Sequence, residues 1–433
     1  MLHDPASDRP LAAEEIRLTE RDRDVLRRLA AEVAEIAALP VHREKARLWR
    51  KLNDLQAERP MVWITELPWH EMNAGDELTL CTEHPWARRQ EEDLRRLLYQ
   101  WRHVRGDMIV SDFLSCPLAI RSTGFGITED VDIARTDDAS DVVSRHFKPQ
   151  IRDLSDLQKI RTPVVTHDLA ATEARHRAMC GVYAGIMPVR KVGQGHIWFT
   201  PWDYLIRWWG VEEAMIDLYE RPALVHAAVE RMTDAWMAEL DQFVAANLLS
   251  LDCANNRVGS GGYGYTSGLP GNDYDSTYVK PHNMWGCSNA QIFSEVSPEM
   301  HWEFAVKHDL RWLARWGLTY YGCCEALDTK IDLLRRIPNL RKISVSPWCN
   351  VARAVEKIGG DFVASRKPNP AIFAEDGWNP GRARADLTQF LEQARGRCNV
   401  ELIMKDISTV RRHPERLWQW ATIAMEVAEE FAA

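Results

Sequence analysis

The chain has 433 residues, of which 45 % are hydrophobic, and its formal net charge is −9. This acidic balance argues against nucleic-acid binding, which normally needs a basic surface, and is typical of a soluble enzyme. The N-terminal residues contain no apolar signal-peptide segment, and no run of about 18 apolar residues could span a membrane. Nine cysteines without a CxxC pair predict free thiols and a cytoplasmic location.

Residues 1–57 predict an N-terminal helical extension. Residues 1–12 have the composition of a disordered tail, and two helices separated by Pro40 are predicted over residues 13–57. From residue 58 to residue 433, short apolar runs alternate with amphipathic helical patterns. Strands that alternate with helices predict an α/β fold with a parallel sheet, here a (β/α)8 TIM barrel.

Ten short apolar runs in the second region are candidate strands, which is more than an eight-stranded barrel needs. Two of them, among residues 186–200 and 290–293, are expected to lie outside the barrel. The candidates are Met61–Ile64, Met108–Val110, Pro163–Thr166, Ile197–Thr200, Leu248–Cys253, Ala290–Phe293, Leu318–Tyr321, Lys342–Ser346, Phe362–Ala364 and Val400–Met404.

A long stretch from Ala254 to Asn289 has no periodicity, and such loops are usually functional. It contains Gly259-Ser-Gly-Gly-Tyr-Gly264, which matches G-x-G-x-x-G, but no helical pattern follows as a dinucleotide site requires. We therefore interpret the glycines as letting the backbone fold closely over a ligand. Asn256, Tyr263 and Tyr265 are the predicted substrate-binding residues of this loop.

The strand Leu318–Tyr321 is followed by Gly322-Cys-Cys-Glu325, which brings thiol and carboxylate groups to a strand end. Both are ligands that zinc accepts. Side chains alternate along an extended chain, so Cys323 and Glu325 are expected on one side and Cys324 on the other. Glu295 is the predicted third ligand from another strand end. The alternative is that the two cysteines are small buried core residues.

Polar groups also follow other predicted strands, and a barrel would bring those strand ends together. Lys405 and Asp406 follow the last strand and are candidates for proton transfer, together with His282. They could also form a structural ion pair. The remaining candidates for substrate binding are Glu66, His70, Trp348 and Lys367.

The C-terminal half resembles the uroporphyrinogen decarboxylase superfamily, and the resemblance extends over residues 45–433. It rests on Val296-Ser-Pro-Glu-Met-His-Trp-Glu-Phe304, Tyr321-Gly-Cys-Cys324, Asn339-Leu-Arg-Lys-Ile-Ser-Val-Ser-Pro347, Lys367-Pro-Asn-Pro370 and the segment from Gly210 to Glu230. The superfamily implies a β/α barrel and a homodimer. It contains metal-free decarboxylases and zinc-dependent methyltransferases that work with corrinoid proteins.

The zinc-dependent branch has a His-x-Cys pattern at the position of Tyr321-Gly-Cys323, and a second Cys near Lys405-Asp406. This chain departs from both, so the thiol-methylating site is incomplete. The resemblance is strongest to O-demethylating methyltransferases. It implies transfer of a methyl group from a small methoxylated, possibly aromatic, or N-methyl compound to a corrinoid carried by a partner protein, with zinc as Lewis acid. A metal-free decarboxylase or lyase using Lys405, Asp406 and His282, and a non-catalytic binding barrel, are the alternatives.

Overall fold

A computed structural model describes residues 16–135 and 143–432, so the predicted disordered residues 1–12 lie outside the description. The strands, in chain order, are β1 (Met61–Ile64), β2 (Leu114–Pro117), β3 (Ile120–Ser122), β4 (Val131–Ala134), β5 (Ser144–Phe147), β6 (Val165–His167), β7 (Val189–Val192), β8 (Trp285–Ser288), β9 (Leu318–Tyr321), β10 (Leu340–Val345), β11 (Val363–Arg366) and β12 (Asn399–Met404). They are short, as strands in mixed α/β proteins usually are.

Helices separate most of the strands that form the main sheet. They are α1 (Glu20–Ala37), α2 (Val41–Asn53), α3 (Pro85–His103), α4 (Leu169–Tyr183), α5 (Pro201–Trp209), α6 (Val211–Glu220), α7 (Pro222–Ala245), α8 (Pro298–His301), α9 (Lys307–Leu313), α10 (Ile331–Leu334), α11 (Val351–Ile358), α12 (Pro380–Ala394) and α13 (Glu415–Glu430). Ser297 caps the N-terminus of α8, because its hydroxyl accepts a hydrogen bond from the Met300 N–H.

The main sheet has six parallel strands in the order β1-β12-β11-β10-β9-β8. Strands β1, β8 and β9 are buried along their whole length, as expected where a parallel sheet is covered on both faces. The predicted bounds of β1 and β9 are confirmed. Those of β10 and β11 differ by one or two residues at each end, and β12 begins one residue earlier than predicted. The α/β class is therefore confirmed.

Strand β1, the first strand in the chain, pairs with β12, the last strand in the chain, as the closure of a barrel requires. The other side of the molecule has no continuous ladder among the described residues. There, β2 and β7 form a separate parallel pair, and Gln194 and Leu249 form one parallel bridge. A closed eight-stranded barrel consequently stays a prediction.

Several predicted strands have another conformation. Ala290–Phe293 contains one turn of 3-10 helix, as an excursion should, and Met108–Val110 and Ile197–Thr200 are buried or half-buried segments without ladder bonds. Of Leu248–Cys253, Leu249 alone makes a bridge. Pro163–Thr166 overlaps β6, which pairs antiparallel with β3 outside the main sheet.

The predicted N-terminal helices are confirmed as α1 and α2, and Pro40 lies in the turn between them. They share one hydrophobic cluster with Met61 and Trp63 of β1. Helix α2 is also tied by polar contacts, because the Trp49 indole donates to the Asp107 carbonyl at 3.0 Å. Within residues 16–135 and 143–432, no helix combines the length and apolarity needed to cross a membrane.

The glycine-rich segment, residues 258–264, packs against the buried face of the sheet. A Cβ atom on Gly259 would lie 2.4 Å from the Tyr320 ring, and one on Gly262 would lie 2.3 Å from the Trp49 ring. The Gly262 N–H donates to Glu401 at 3.3 Å. The glycines thus allow close packing of backbone on these aromatic rings, and the prediction that they fold over a ligand is wrong for these contacts.

Candidate active site

The carboxyl ends of the six parallel strands lie at one edge of the sheet, as the register of the strand pairs requires. Lys405 follows β12 at this edge, and Cys323 and Cys324 lie just beyond β9. The Lys405 ammonium lies 3.5 Å from Cys323 Sγ and 3.8 Å from Cys324 Sγ, and it donates a hydrogen bond to the Asp406 carboxylate. We call Glu66, Arg257, Cys323, Cys324, Lys405 and Asp406 the edge cluster.

Glu66 joins β1 to this cluster. Its carboxylate accepts a hydrogen bond from Arg257 and another, at 3.1 Å, from the Asp406 N–H. The Lys405 ammonium lies 3.9 Å from the same carboxylate. Burial opposes ionisation, but the charges of Arg257 and Lys405 prevail and lower the pKa of Glu66 to about 2. Glu66 therefore favours its ionised form and pairs with both cations, Arg257 and Lys405.

Lys405 carries a stable positive charge although its side chain is only 4 % exposed. Burial disfavours that charge, yet Cys323, Glu66 and Asp406 outweigh it and raise the pKa of Lys405 above its usual value. The pKa of the Cys323 thiol is lowered by its hydrogen bond with Cys324 and by Lys405, against burial. The edge cluster thus combines a fixed cation with an activated thiol.

Lys367 follows β11 and is buried, as Lys405 is. Its ammonium donates hydrogen bonds to the Tyr320 hydroxyl and, at 2.7 Å, to the Ser365 hydroxyl. Burial lowers the pKa of Lys367 to about 7, and the neighbouring charge of Lys405 contributes. This lysine is 3 % exposed, about as little as Lys405, and it does not face solvent.

The predicted zinc ligands do not assemble. Both Glu325 carboxylate oxygens accept backbone hydrogen bonds, from Cys323 at 2.8 Å and from Ala290 at 3.0 Å. Glu295 is exposed. In the described part of the chain, no three or more His, Cys, Asp or Glu residues form a group that could hold a metal. The set Glu295, Cys323 and Glu325 therefore does not fit a zinc ion.

The predicted alternation of the two cysteines is also wrong. Their sulfur atoms are 3.7 Å apart, and both contact Lys405. The chain leaves the extended conformation at Gly322, whose φ is +99°, a value that favours glycine. The rule of alternating sides ends with the strand, so Cys324 joins Cys323 in the edge cluster.

The two histidines predicted for the site, His70 and His282, lie outside the edge cluster. His282 precedes β8, so it lies at the amino edge of the sheet, where it is exposed and 2.9 Å from Asp273. His70 lies after β1 and is 3.6 Å from Glu71. Glu71 accepts backbone hydrogen bonds from Val410 and Arg412, so Glu71 anchors the loop that follows β12.

The predicted loop residues have different positions. Tyr263 is buried between Trp49 and Trp63, which leaves it no free face for a ligand. Asn256 and Tyr265 line a cavity of about 730 Å³ that lies between the α1–α2 turn and the segments after β7 and Leu249. Trp348 is 69 % exposed after β10, so it does not form a pocket wall.

Sequence reasoning missed Arg257, Cys324 as a partner of Lys405, and His196. The His196 Nε2 accepts a hydrogen bond from the Gly259 N–H at 2.8 Å, so its proton is on Nδ1, 3.2 Å from Asp252. His196 therefore positions the glycine-rich segment. Arg257 adjoins Asn256 in the aperiodic stretch, and its place in that loop was the available signal.

Comparisons with known proteins support the fold. No protein-family model matches the chain, and no curated protein sequence matches it either. A solved structure described as a methyltransferase from Methanosarcina mazei aligns with a TM-score of 0.50 and 11 % sequence identity. The alignment covers 90 % of this chain and 99 % of that one. At this identity the likeness establishes a shared fold over nearly the whole length of both chains.

Proposed function

We propose that this chain is a methyltransferase that moves a methyl group from a small methoxylated or N-methyl compound to a corrinoid on a partner protein. The observation that carries the proposal is the edge cluster, in which a buried cation meets an activated thiol at the carboxyl ends of a parallel sheet. The fold likeness to a solved methyltransferase adds support. The sequence resemblance described above points to the same class.

Methyl transfer from an ether or amine is slow because the heteroatom is a poor leaving group. The bond from the methyl carbon to the heteroatom breaks, and the heteroatom keeps the electron pair. A preorganised cation beside that atom stabilises the charge that develops there. In the proposal Lys405 supplies this cation, and Glu66 and Asp406 fix its direction.

The corrinoid, when present, supplies the nucleophile that takes the methyl group. The residues of this chain bind and orient the donor. The cavity next to Asn256 has a volume of about 730 Å³, within the range of small-molecule sites. Asn256 adjoins Arg257, whose guanidinium reaches Glu66 in the edge cluster. We propose that the body of the donor occupies this cavity and that its methyl group extends toward Lys405.

An assay with the purified protein tests the proposal. Cobalamin reduced to Co(I) serves as a free acceptor, and methoxyarenes and N-methylamines serve as donors. Loss of the Co(I) absorbance, together with formation of the demethylated product, is the expected result. Failure with every donor, also after addition of cell extract as a source of corrinoid protein, would refute methyl transfer.

A metal-free decarboxylase or lyase is the second candidate, and one observation favours it. Lys405 and Asp406 form an ion pair at the edge, while the predicted zinc ligands do not meet. Such a pair can bind a substrate carboxylate and return a proton after carbon dioxide leaves. His282 takes no part, because it lies at the opposite edge. Release of carbon dioxide from aromatic or porphyrinogen carboxylates, without methyl transfer, would select this candidate.

A further inference from the structure

Cys323 and Cys324 form an adjacent pair of thiols with an unusual geometry for neighbours in sequence. Their sulfur atoms are 3.7 Å apart and lie on the same side of the chain. Cys323 is 5 % exposed, whereas Cys324 is partly open to solvent. A disulfide bond needs about 2.05 Å, so the sulfurs would have to approach by about 1.7 Å to form one. The ring would be strained and readily reduced, because neighbouring Cα atoms are only about 3.8 Å apart.

Charged groups around the pair favour reaction at sulfur. The Lys405 ammonium contacts both sulfurs, and a nearby cation stabilises a thiolate, the reactive form of cysteine. The Cys324 thiol donates a hydrogen bond to the Asp406 carboxylate at 3.4 Å, which keeps Cys324 in the thiol form beside Cys323. The other cysteines of this chain have no thiol as an immediate neighbour in sequence.

We propose that Cys323 and Cys324 are an oxidation site at which a hydroperoxide converts the two thiols into a vicinal disulfide. The thiolate of Cys323 attacks the outer oxygen of the hydroperoxide, the O–O bond breaks, and an alcohol or water leaves after taking a proton. The resulting sulfenic acid reacts with the Cys324 thiol, which forms the S–S bond and releases water. Two electrons pass from the two sulfurs to the peroxide.

The proposal stands apart from the proposed function, because it needs only the thiols and their cation. Its consequence for the edge cluster is definite. Oxidation removes the thiolate that faces Lys405 and leaves the ammonium with Glu66 and Asp406 as its partners. Any reaction that uses Cys323 would stop until a dithiol reductant restores the pair.

Peptide mass spectrometry of the intact, folded protein tests the site. The protein is treated with hydrogen peroxide in small excess, its free thiols are blocked, and it is digested with trypsin. Cleavage after Arg315 and Lys330 yields a peptide with Cys323 and Cys324 as its two cysteines. We expect this peptide to be about 2 Da lighter than its reduced form, unblocked, and restored by dithiothreitol. A peptide that stays blockable, or that gains oxygen without losing hydrogen, would overturn the proposal.

Two variants separate the pair from general thiol oxidation. Cys324→Ser removes the resolving thiol, so Cys323 should gain oxygen and the lighter peptide should disappear. Cys398→Ser is the matched control, because Cys398 is half-buried and donates to the Val355 carbonyl far along the chain. The lighter peptide should persist in that variant. A disulfide between two protein chains, seen as a dimer on a non-reducing gel, would contradict the vicinal assignment.

Discussion

Two lysines have contrasting surroundings, Lys342 within the main sheet and Lys405 just after its strand β12. Lys342 is fully buried on β10, 2.9 Å from the equally buried Glu401, and the glycine-rich segment covers the pair. Lys405 is nearly as buried, but its carboxylate partners Glu66 and Asp406 are 28 % and 50 % exposed. The interior Lys342–Glu401 pair is closed to any ligand. In the edge cluster, a ligand can replace Glu66 or Asp406 as the partner of Lys405. Burial of the two cations is therefore alike, and the exposure of their counter-ions is what distinguishes them.

The largest expected effect is on stability, from breaking the interior pair. Lys342→Met should lower the free energy of unfolding by about 3–5 kcal/mol, because Glu401 remains buried without its partner. Urea denaturation followed by circular dichroism measures the change. The double variant Lys342→Met with Glu401→Leu should recover most of it. A single variant as stable as the wild type would show that Glu401 is held by other groups.

The edge lysine should instead affect activity. Lys405→Met removes the cation from the proposed leaving group, and kcat for methyl transfer should fall about 100- to 1000-fold. Its effect on the free energy of unfolding should be smaller than that of Lys342→Met, since Asp406 can turn to solvent. Lys280→Met, at an exposed position before β8, is the control and should keep full activity. Equal activity of the two variants would remove Lys405 from the mechanism.

Lys367 is a third buried lysine, and its titration should change the free energy of unfolding with pH. Its folded-state pKa of about 7 is below its usual value, so the unfolded chain binds more protons between these values. The free energy of unfolding should therefore rise with pH above 7, and below pH 7 this gain is absent because Lys367 is protonated in both states. Relative to Lys367→Met, the wild type should gain about 2–3 kcal/mol between pH 7 and about 9.5, measured by urea denaturation. A constant difference between the two proteins would mean that Lys367 titrates normally.

The smallest expected effect comes from the cover over the interior pair. Gly262→Ala places a methyl group 2.3 Å from the Trp49 ring, which should cost about 1–3 kcal/mol of stability. Gly377→Ala is the matched control, because no heavy atom lies within 4 Å of its added Cβ. Thermal denaturation compares the two. If both variants melt alike, the glycine-rich segment packs more loosely than its contacts indicate.

The sequence predicted the fold best where apolar strands alternate with capped helices. Strands β1 and β9 were predicted at their observed bounds, since each is a short, largely apolar run that Pro60 or Gly317 precedes and Thr65 or Gly322 follows. Strand β8, Trp285-Gly-Cys-Ser288, was missed because its small residues resemble a loop. Leu248–Cys253 alternates apolar and polar residues as a strand does but makes one bridge, because neighbouring strands do not extend beside it. Strand partners are a tertiary property that local pattern does not encode.

The site was predicted in part, through the rule that polar residues follow parallel strands. Glu66, Cys323, Lys405 and Asp406 meet as that rule requires. The rule was misapplied to His282, which precedes its strand and so lies at the other edge. Glu325 was assigned to a metal because its backbone hydrogen bonds depend on how the loop turns at Gly322. Arg257 reaches Glu66 across 191 positions in sequence, so its place in the aperiodic loop could mark the residue but could not predict this contact.

The close approach of Gly262 to Trp49 restricts which residues can occur together at positions 262 and 49 in related proteins. Any larger residue at position 262 needs space that the indole ring now fills, so the two positions should change together. A homologue with alanine or serine at 262 is expected to carry a smaller ring, such as phenylalanine, at 49. The same reciprocity should link position 259 with the tyrosine at 320.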